Sequence, residues 1–181
     1  MLTNLNVHKK FSSWPSYSLE EADAVKNVIL SNKVNYWTGE ICREFEKDFA
    51  AWANVKYAIA LSNGTVALDL SLRTLNIKGL GATNKRPEII VTSRTFLASA
   101  SSIVNIGAKP IFADIDKDSQ NMSIENIKLA ITENTCAIIC VHLAGWPCEM
   151  DKIMEIASAN NLYVIEDCAQ AHGAKYKNQM V

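Results

Sequence analysis

The sequence predicts an α/β fold with a mostly parallel sheet and crossover helices. Two observations carry that expectation. From residue 56 onward, short apolar runs alternate with stretches of helical periodicity, the order that βαβ units produce. The runs are apolar on consecutive residues rather than on every second one, so both faces of each strand need cover, as in a parallel sheet clothed by helices. With 181 residues the chain is long enough for one domain with a proper core. Apolar residues at 49%, charged residues at 20%, and only 7 Gly and 4 Pro exclude disorder as a global description.

Residues 1–17 read as an arm, and the domain begins at Ser18. There Ser18-Leu-Glu-Glu21 has the spacing of a capping box, and Ala22, Val25 and Ile29 follow at helical intervals. After a loop over 34–39, Ile41, Phe45, Phe49 and Trp52 fall on one face of a second helix, with Arg43, Glu44, Glu46 and Lys47 largely on the other. Strands are predicted over residues 57–61, 88–92, 110–114, 136–142 and 162–166. Helices are predicted over 65–76, 96–106, 123–132 and 149–160, with Ser123 as an N-cap. Residues 78–87, with Gly79, Gly81 and Asn84, read as a loop. No repeat or low-complexity tract interrupts this order.

The 18 basic and 19 acidic side chains leave a formal charge of -1, too little for sequence-independent attraction to a nucleic acid or an anionic membrane. Neither is expected as a partner. The five cysteines at 42, 136, 140, 148 and 168 are odd in number and contain no C-x-x-C pair, which speaks against a disulfide framework and a metal site. Cys136 and Cys140, at even spacing, read as core on one strand face. A reducing cytoplasm is the expected compartment. Lys9 and Lys10 are followed by no apolar leader segment, and no stretch is long enough to span a bilayer.

Parallel sheets place their chemistry at the carboxyl ends of strands. The first predicted strand ends in Ser62-Asn-Gly-Thr65. Gly64 permits close approach of a ligand, and Thr65 opens a helix whose free N–H groups suit a phosphate; an ordinary strand-to-helix turn fits the same residues. No G-x-G-x-x-G occurs, which counts against a dinucleotide fold. The last predicted strand ends in Glu166-Asp-Cys-Ala-Gln170-Ala-His172-Gly173. Side chains alternate across a strand, so only one of Glu166 and Asp167 can face the site. A carboxylate beside a cation keeps its charge, and a protonated ring nitrogen is such a cation; a cap or a structural ion pair is the alternative. Phe96 stands where another strand stops, placed either to lie on a planar ring or to join the core. His142 and His172 are candidates for hydrogen bonding near the site, or structural histidines. Trp146-Pro147 shapes a loop.

Taken in order, Asn35-Tyr-Trp-Thr-Gly39, Phe45-Glu46, Ser62-Asn-Gly-Thr-Val-Ala-Leu68, Thr95-Phe96, Gly107-Ala-Lys-Pro110, Asp114-Ile-Asp116, His142-Leu-Ala-Gly145 and Glu166-Asp-Cys-Ala-Gln-Ala-His-Gly173 resemble the DegT/StrS family of pyridoxal 5′-phosphate (PLP) dependent nucleotide-sugar aminotransferases. The resemblance runs from about residue 18 to the end. It implies the aspartate aminotransferase-like fold (fold type I), here as an incomplete large domain over residues 18–181. It also implies a role for each matching position. Gly64 and Thr65 hold the PLP phosphate, Phe96 stacks on the pyridine ring, Asp167 pairs with the pyridinium nitrogen, and Gln170 hydrogen-bonds the phenolic oxygen. The activity implied is transfer of an amino group, usually from glutamate, to a keto group on a nucleotide-linked sugar, for surface polysaccharide, lipopolysaccharide or antibiotic sugars. Homodimers with the site at the interface are the family's rule.

Two departures from the family pattern matter. Thr92-Ser-Arg94 replaces the usual Pro-Ser, so Arg94 is either a contact for an anionic substrate group or a surface charge. The Schiff-base lysine that anchors the cofactor is expected beyond Val181, as are later strands and a second, small domain, so the chain alone is expected to be inactive. Lys175 and Lys177 fall too early in the pattern to replace it. In the family's sheet two later strands separate the first strand from the one ending at Asp167, which predicts a gap of roughly 14 Å between residues 57–61 and 162–166, with exposed edges and a tendency to aggregate. A sugar dehydratase of the same family and a non-catalytic truncated paralogue are the competing readings.

Overall fold

A computed structural model describes residue 13, residues 15–77 and residues 85–181. Most of the expected arm and residues 78–84 of the expected loop therefore lie outside the described residues. The chain forms helices α1 (Leu19–Leu30), α2 (Ile41–Ala53) and α3 (Gly64–Thr74), then strand β1 (Glu88–Thr92), α4 (Leu97–Asn105), β2 (Lys109–Ala113), α5 (Ile124–Ala130), β3 (Thr135–Val141), a single 3₁₀ turn (Leu143–Gly145), α6 (Met150–Ala159) and β4 (Tyr163–Asp167). A short antiparallel hairpin, β5 (Lys175–Tyr176) and β6 (Gln179–Met180), follows.

Local chemistry starts the helices where the sequence places them. Ser18 accepts from the Glu21 amide and Glu21 accepts from the Ser18 amide, completing the capping box of α1. Asn63 caps α3 and Ser123 caps α5, each accepting from an amide three residues on. The α1 helix nonetheless buries none of its residues.

The sheet has the order β2-β1-β3-β4, with every pair parallel. Its middle strands are covered on both faces. Ile89, Val91, Ala137 and Ile139 pack with Leu72 of α3 and Ile103 of α4. Ile90, Ile138 and Cys140 pack with Ile127 of α5 and Ile153 of α6. Each fully buried isoleucine contributes about 1.5–3 kcal/mol through area removed from water. The chain leaves β1 in one direction through α4 and later leaves β3 in the other through α6. A crevice opens at such a reversal, outside the carboxyl ends of the strands.

Two expectations are corrected. Residues 57–61 are not a strand. They join no ladder, and the Ala60 amide donates instead to Glu46 Oε1 of α2 at 2.8 Å. An apolar run specifies an extended chain, but a strand also needs a neighbour to pair with. No ladder joins this segment to β4. Cys136 and Cys140 do not share a face either. The register between β1 and β3 shifts between Glu88 and Ile89, where Cys136 is the extra residue. A bulge interrupts the two-residue alternation, so Cys136 packs with the α3/α4 layer and Cys140 with the α5/α6 layer.

Ile138→Ala is expected to cost about 2–5 kcal/mol in a urea melt, because it hollows a fully buried site, whereas Leu129→Ala on the exposed face of α5 should stay within about 0.5 kcal/mol. Glu88, buried at the start of β1, accepts from the Thr132 hydroxyl and from Lys109, which hold its carboxyl below the usual value. A lowered folded-state value adds stability that is present above the unfolded value of about 4.3 and is lost as pH falls through the lower one. Glu88→Gln should therefore be less stable than the native chain at pH 7, with the difference closing below about pH 4 in parallel denaturation curves.

Candidate functional site

The alternation of β4 divides its last two residues between the two faces of the sheet. Asp167 turns toward α4, where Ser99 Oγ donates to Oδ2 at 2.8 Å and the Ala169 amide donates to Oδ1 at 3.2 Å. The one Ser99 proton is thereby used, so the Thr95 hydroxyl, 2.9 Å away, is the donor to Ser99. This short chain fixes the carboxylate in direction. Each oxygen retains a lone pair for a further partner.

Glu166 points the other way, its Oε2 3.0 Å from His142 Nε2. His142 is 0% exposed, and its Nδ1 accepts from the Cys148 amide at 3.0 Å. The proton must therefore sit on Nε2, donated to Glu166. Both nitrogens are used within the protein, which leaves no polar atom of His142 for a substrate. Of the two readings the sequence offers for His142, these hydrogen bonds match the structural one. His172 is exposed and meets the edge of Phe49 with ring centroids 6.3 Å apart.

Phe96 does not join the core. It is the N-cap residue of α4 and is 71% exposed at the carboxyl end of β1. On the same face, Arg73 in the last turn of α3 donates to the carbonyl of Asn105, the last residue of α4. The C-terminal ends of the two packed helices therefore meet, while the N-terminus of α4 lies at the carboxyl end of β1. At the N-terminus of α3 the Asn63 side chain satisfies the Val66 amide, while the Gly64 and Thr65 amides have no partner among the described residues. A Cβ placed on Gly64 would meet nothing within 4 Å. Neither backbone conformation nor internal packing requires glycine there, so the open space is available to a ligand.

Gln170 Oε1 accepts from the Ala144 amide at 2.7 Å. A donor on that side fixes the carboxamide, because only its oxygen can accept. Its NH2 group has no acceptor among the described residues. Arg94 takes part in no ion pair among the described residues and lines a cavity of about 880 Å³ with Asp116, Asn121, Trp146 and Glu149. The structure thus sets Asp167 and Phe96 at the carboxyl ends of β4 and β1, with Gln170 three residues beyond Asp167, and gives His142 its partners on the other face of β4. Sequence reasoning missed Ser99 and Thr95. Their signal was present as hydroxyls at i and i+4 opening the helix after β1.

The chain belongs to the DegT/DnrJ/EryC1/StrS aminotransferase family, whose model matches residues 15–181. It is 43% identical over 171 residues to the GDP-perosamine synthase of Escherichia coli O157:H7, an alignment covering 92% of this chain and 44% of that protein. The solved aminotransferase from Psychrobacter cryohalolentis superposes with a TM-score of 0.89 at 58% identity, covering 94% of this chain and 42% of that one. A solved GDP-4-keto-6-deoxymannose-3-dehydratase with a trapped PLP-glutamate geminal diamine is similar at 28% identity and a TM-score of 0.80, over 92% of this chain and 42% of that one. The chain thus spans under half the length of these relatives. The fold is that of fold type I PLP enzymes, as expected from the sequence. Among the described residues no helix is long and apolar enough to cross a membrane, and no group of His, Cys, Asp and Glu side chains is placed to hold a metal ion.

Cys168 lies in the site motif, yet burial pushes its thiol up to about 12. Burial likewise pushes Cys148 up to about 12, Cys136 to about 11 and Cys140 well upward. Thiols in that range stay protonated and unreactive at neutral pH. In the folded chain at pH 8, Cys140 and Cys148 should resist a chromogenic disulfide reagent that titrates all five thiols in denaturant. Rapid native labelling of Cys148 would contradict the burial argument.

Proposed function

We propose that this chain forms the PLP-binding part of an aminotransferase that moves an amino group, with glutamate as donor, to a keto group on a nucleotide-linked sugar. The observation that carries the reading is the Asp167 carboxylate, held at the end of β4 by Ser99 and Ala169 with lone pairs to spare. The residues present fit the cofactor. Asp167 would accept from the ring nitrogen and keep it protonated. Phe96, exposed at the neighbouring strand end, would cover one ring face. The free Gly64 and Thr65 amides, at the positive end of α3, would receive the phosphate. The Gln170 NH2 group would donate to the ring oxygen. Bound PLP supplies an electron sink for the substrate carbon.

The 58% identity to a solved aminotransferase, against 28% to the dehydratase, favours the aminotransferase reading. Trp37 stands 87% exposed in the turn that resembles the family's dimer region, which supports a second copy as its cover.

Titrating the chain with PLP and following the cofactor's absorbance tests the reading. A charge-assisted hydrogen bond is worth about 1.5–3 kcal/mol, so Asp167→Asn should weaken binding by roughly 10- to 100-fold while leaving the urea midpoint nearly unchanged. Unchanged affinity in that variant would remove Asp167 from its role.

A further inference from the structure

Asn121 lies in the loop between β2 and α5 and is buried to 4% exposure. Among the described residues it hydrogen-bonds none of those assigned to the cofactor. Its amide instead spans the turn that follows β3. Oδ1 accepts from the Leu143 amide at 3.2 Å, and Nδ2 donates to the Trp146 carbonyl at 2.8 Å. Between those two anchors sits Ala144 in the left-handed region, with φ at 52° and ψ at 27°. An alanine held there is strained and persists only where the surroundings over-determine it. The amide it thereby presents is the one that donates to Gln170 Oε1.

The geometry points to Asn121 as a positioning residue: by clamping both ends of the 143–146 turn, it aims the Ala144 N–H at Gln170, and so directs the Gln170 NH2 group toward an acceptor oxygen on the ligand's ring. The inference rests on the PLP reading above. Gln170 is exposed, and the terminal torsion of a glutamine is broad. Without the Ala144 donor its oxygen and its NH2 group could exchange places, and the ring oxygen would then face an acceptor. On the far side of the turn, the His142–Cys148 hydrogen bond fixes the exit, and among the described residues Asn121 is the side chain that hydrogen-bonds both ends of the turn.

A double-mutant cycle on PLP affinity tests this. Gln170→Ala should weaken binding about 3- to 10-fold, the range of one neutral hydrogen bond. Asn121→Ala should weaken it by a similar factor, and the double variant should be no weaker than Gln170→Ala alone. In ¹H–¹⁵N spectra the Gln170 side-chain resonances should shift on adding PLP to the native chain and lose that response in Asn121→Ala. A residue that merely supports the fold would lower the melting temperature and leave the response intact. Should Asn121→Ala not fold, Asn121→Asp, which keeps the Leu143 bond and loses the one to Trp146, takes its place in the cycle. Losses that multiply, or a Gln170 response unchanged in the variant, overturn the inference. A native chain that binds no PLP overturns it together with the reading on which it rests.

Discussion

The site depends on the two-residue alternation at the end of β4. Glu166 and Asp167 are neighbours in sequence, and a strand cannot aim both at one point. The conflict is resolved by giving each its own partner on its own face: a buried histidine proton for Glu166 and a serine hydroxyl for Asp167. The Glu166–His142 pair secures the strand against the residue that follows β3, and Asp167 keeps lone pairs on the face it shares with α4. Shifting β4 by one residue would exchange the faces of the two carboxylates and separate each from its partner.

Around that point the fold assembles donors and acceptors from separate parts of the chain. The α4 helix contributes the hydroxyl chain to Asp167 and the exposed Phe96. Packed against it, α3 begins with unpaired amides. The turn after β3 supplies the donor that orients Gln170. None of these parts is near another in sequence, so only the parallel sheet, which gathers the carboxyl ends of its strands along one edge, makes them neighbours.

Much of this was legible from the residues. Consecutive apolar runs located β1 to β4 to within a residue or so, and Ser18 and Ser123 marked helix starts because their side chains replace a missing backbone partner. Three features were not legible. Residues 57–61 have the composition of a strand, but pairing is a tertiary property that no local pattern contains. The bulge at Cys136 changes which face a side chain meets without altering the hydrophobic pattern. The burial of His142 follows from two partners, Cys148 and Glu166, which the fold brings to its ring from either side. The Ser99 hydroxyl was visible in the sequence, but its partner Asp167 was not, and Asn121 likewise acts through contacts far away along the chain.

Glu88, Lys109 and Thr132 form a charged cluster at the opposite rim, where β1 and β2 begin. The strands thus separate two kinds of polar chemistry lengthwise: one rim spends its charges on itself, the other keeps them available. Libraries screened by heat resistance and libraries screened by ligand capture would therefore sample opposite ends of the same strands, and improvements found at one rim could be combined with those at the other with little interference.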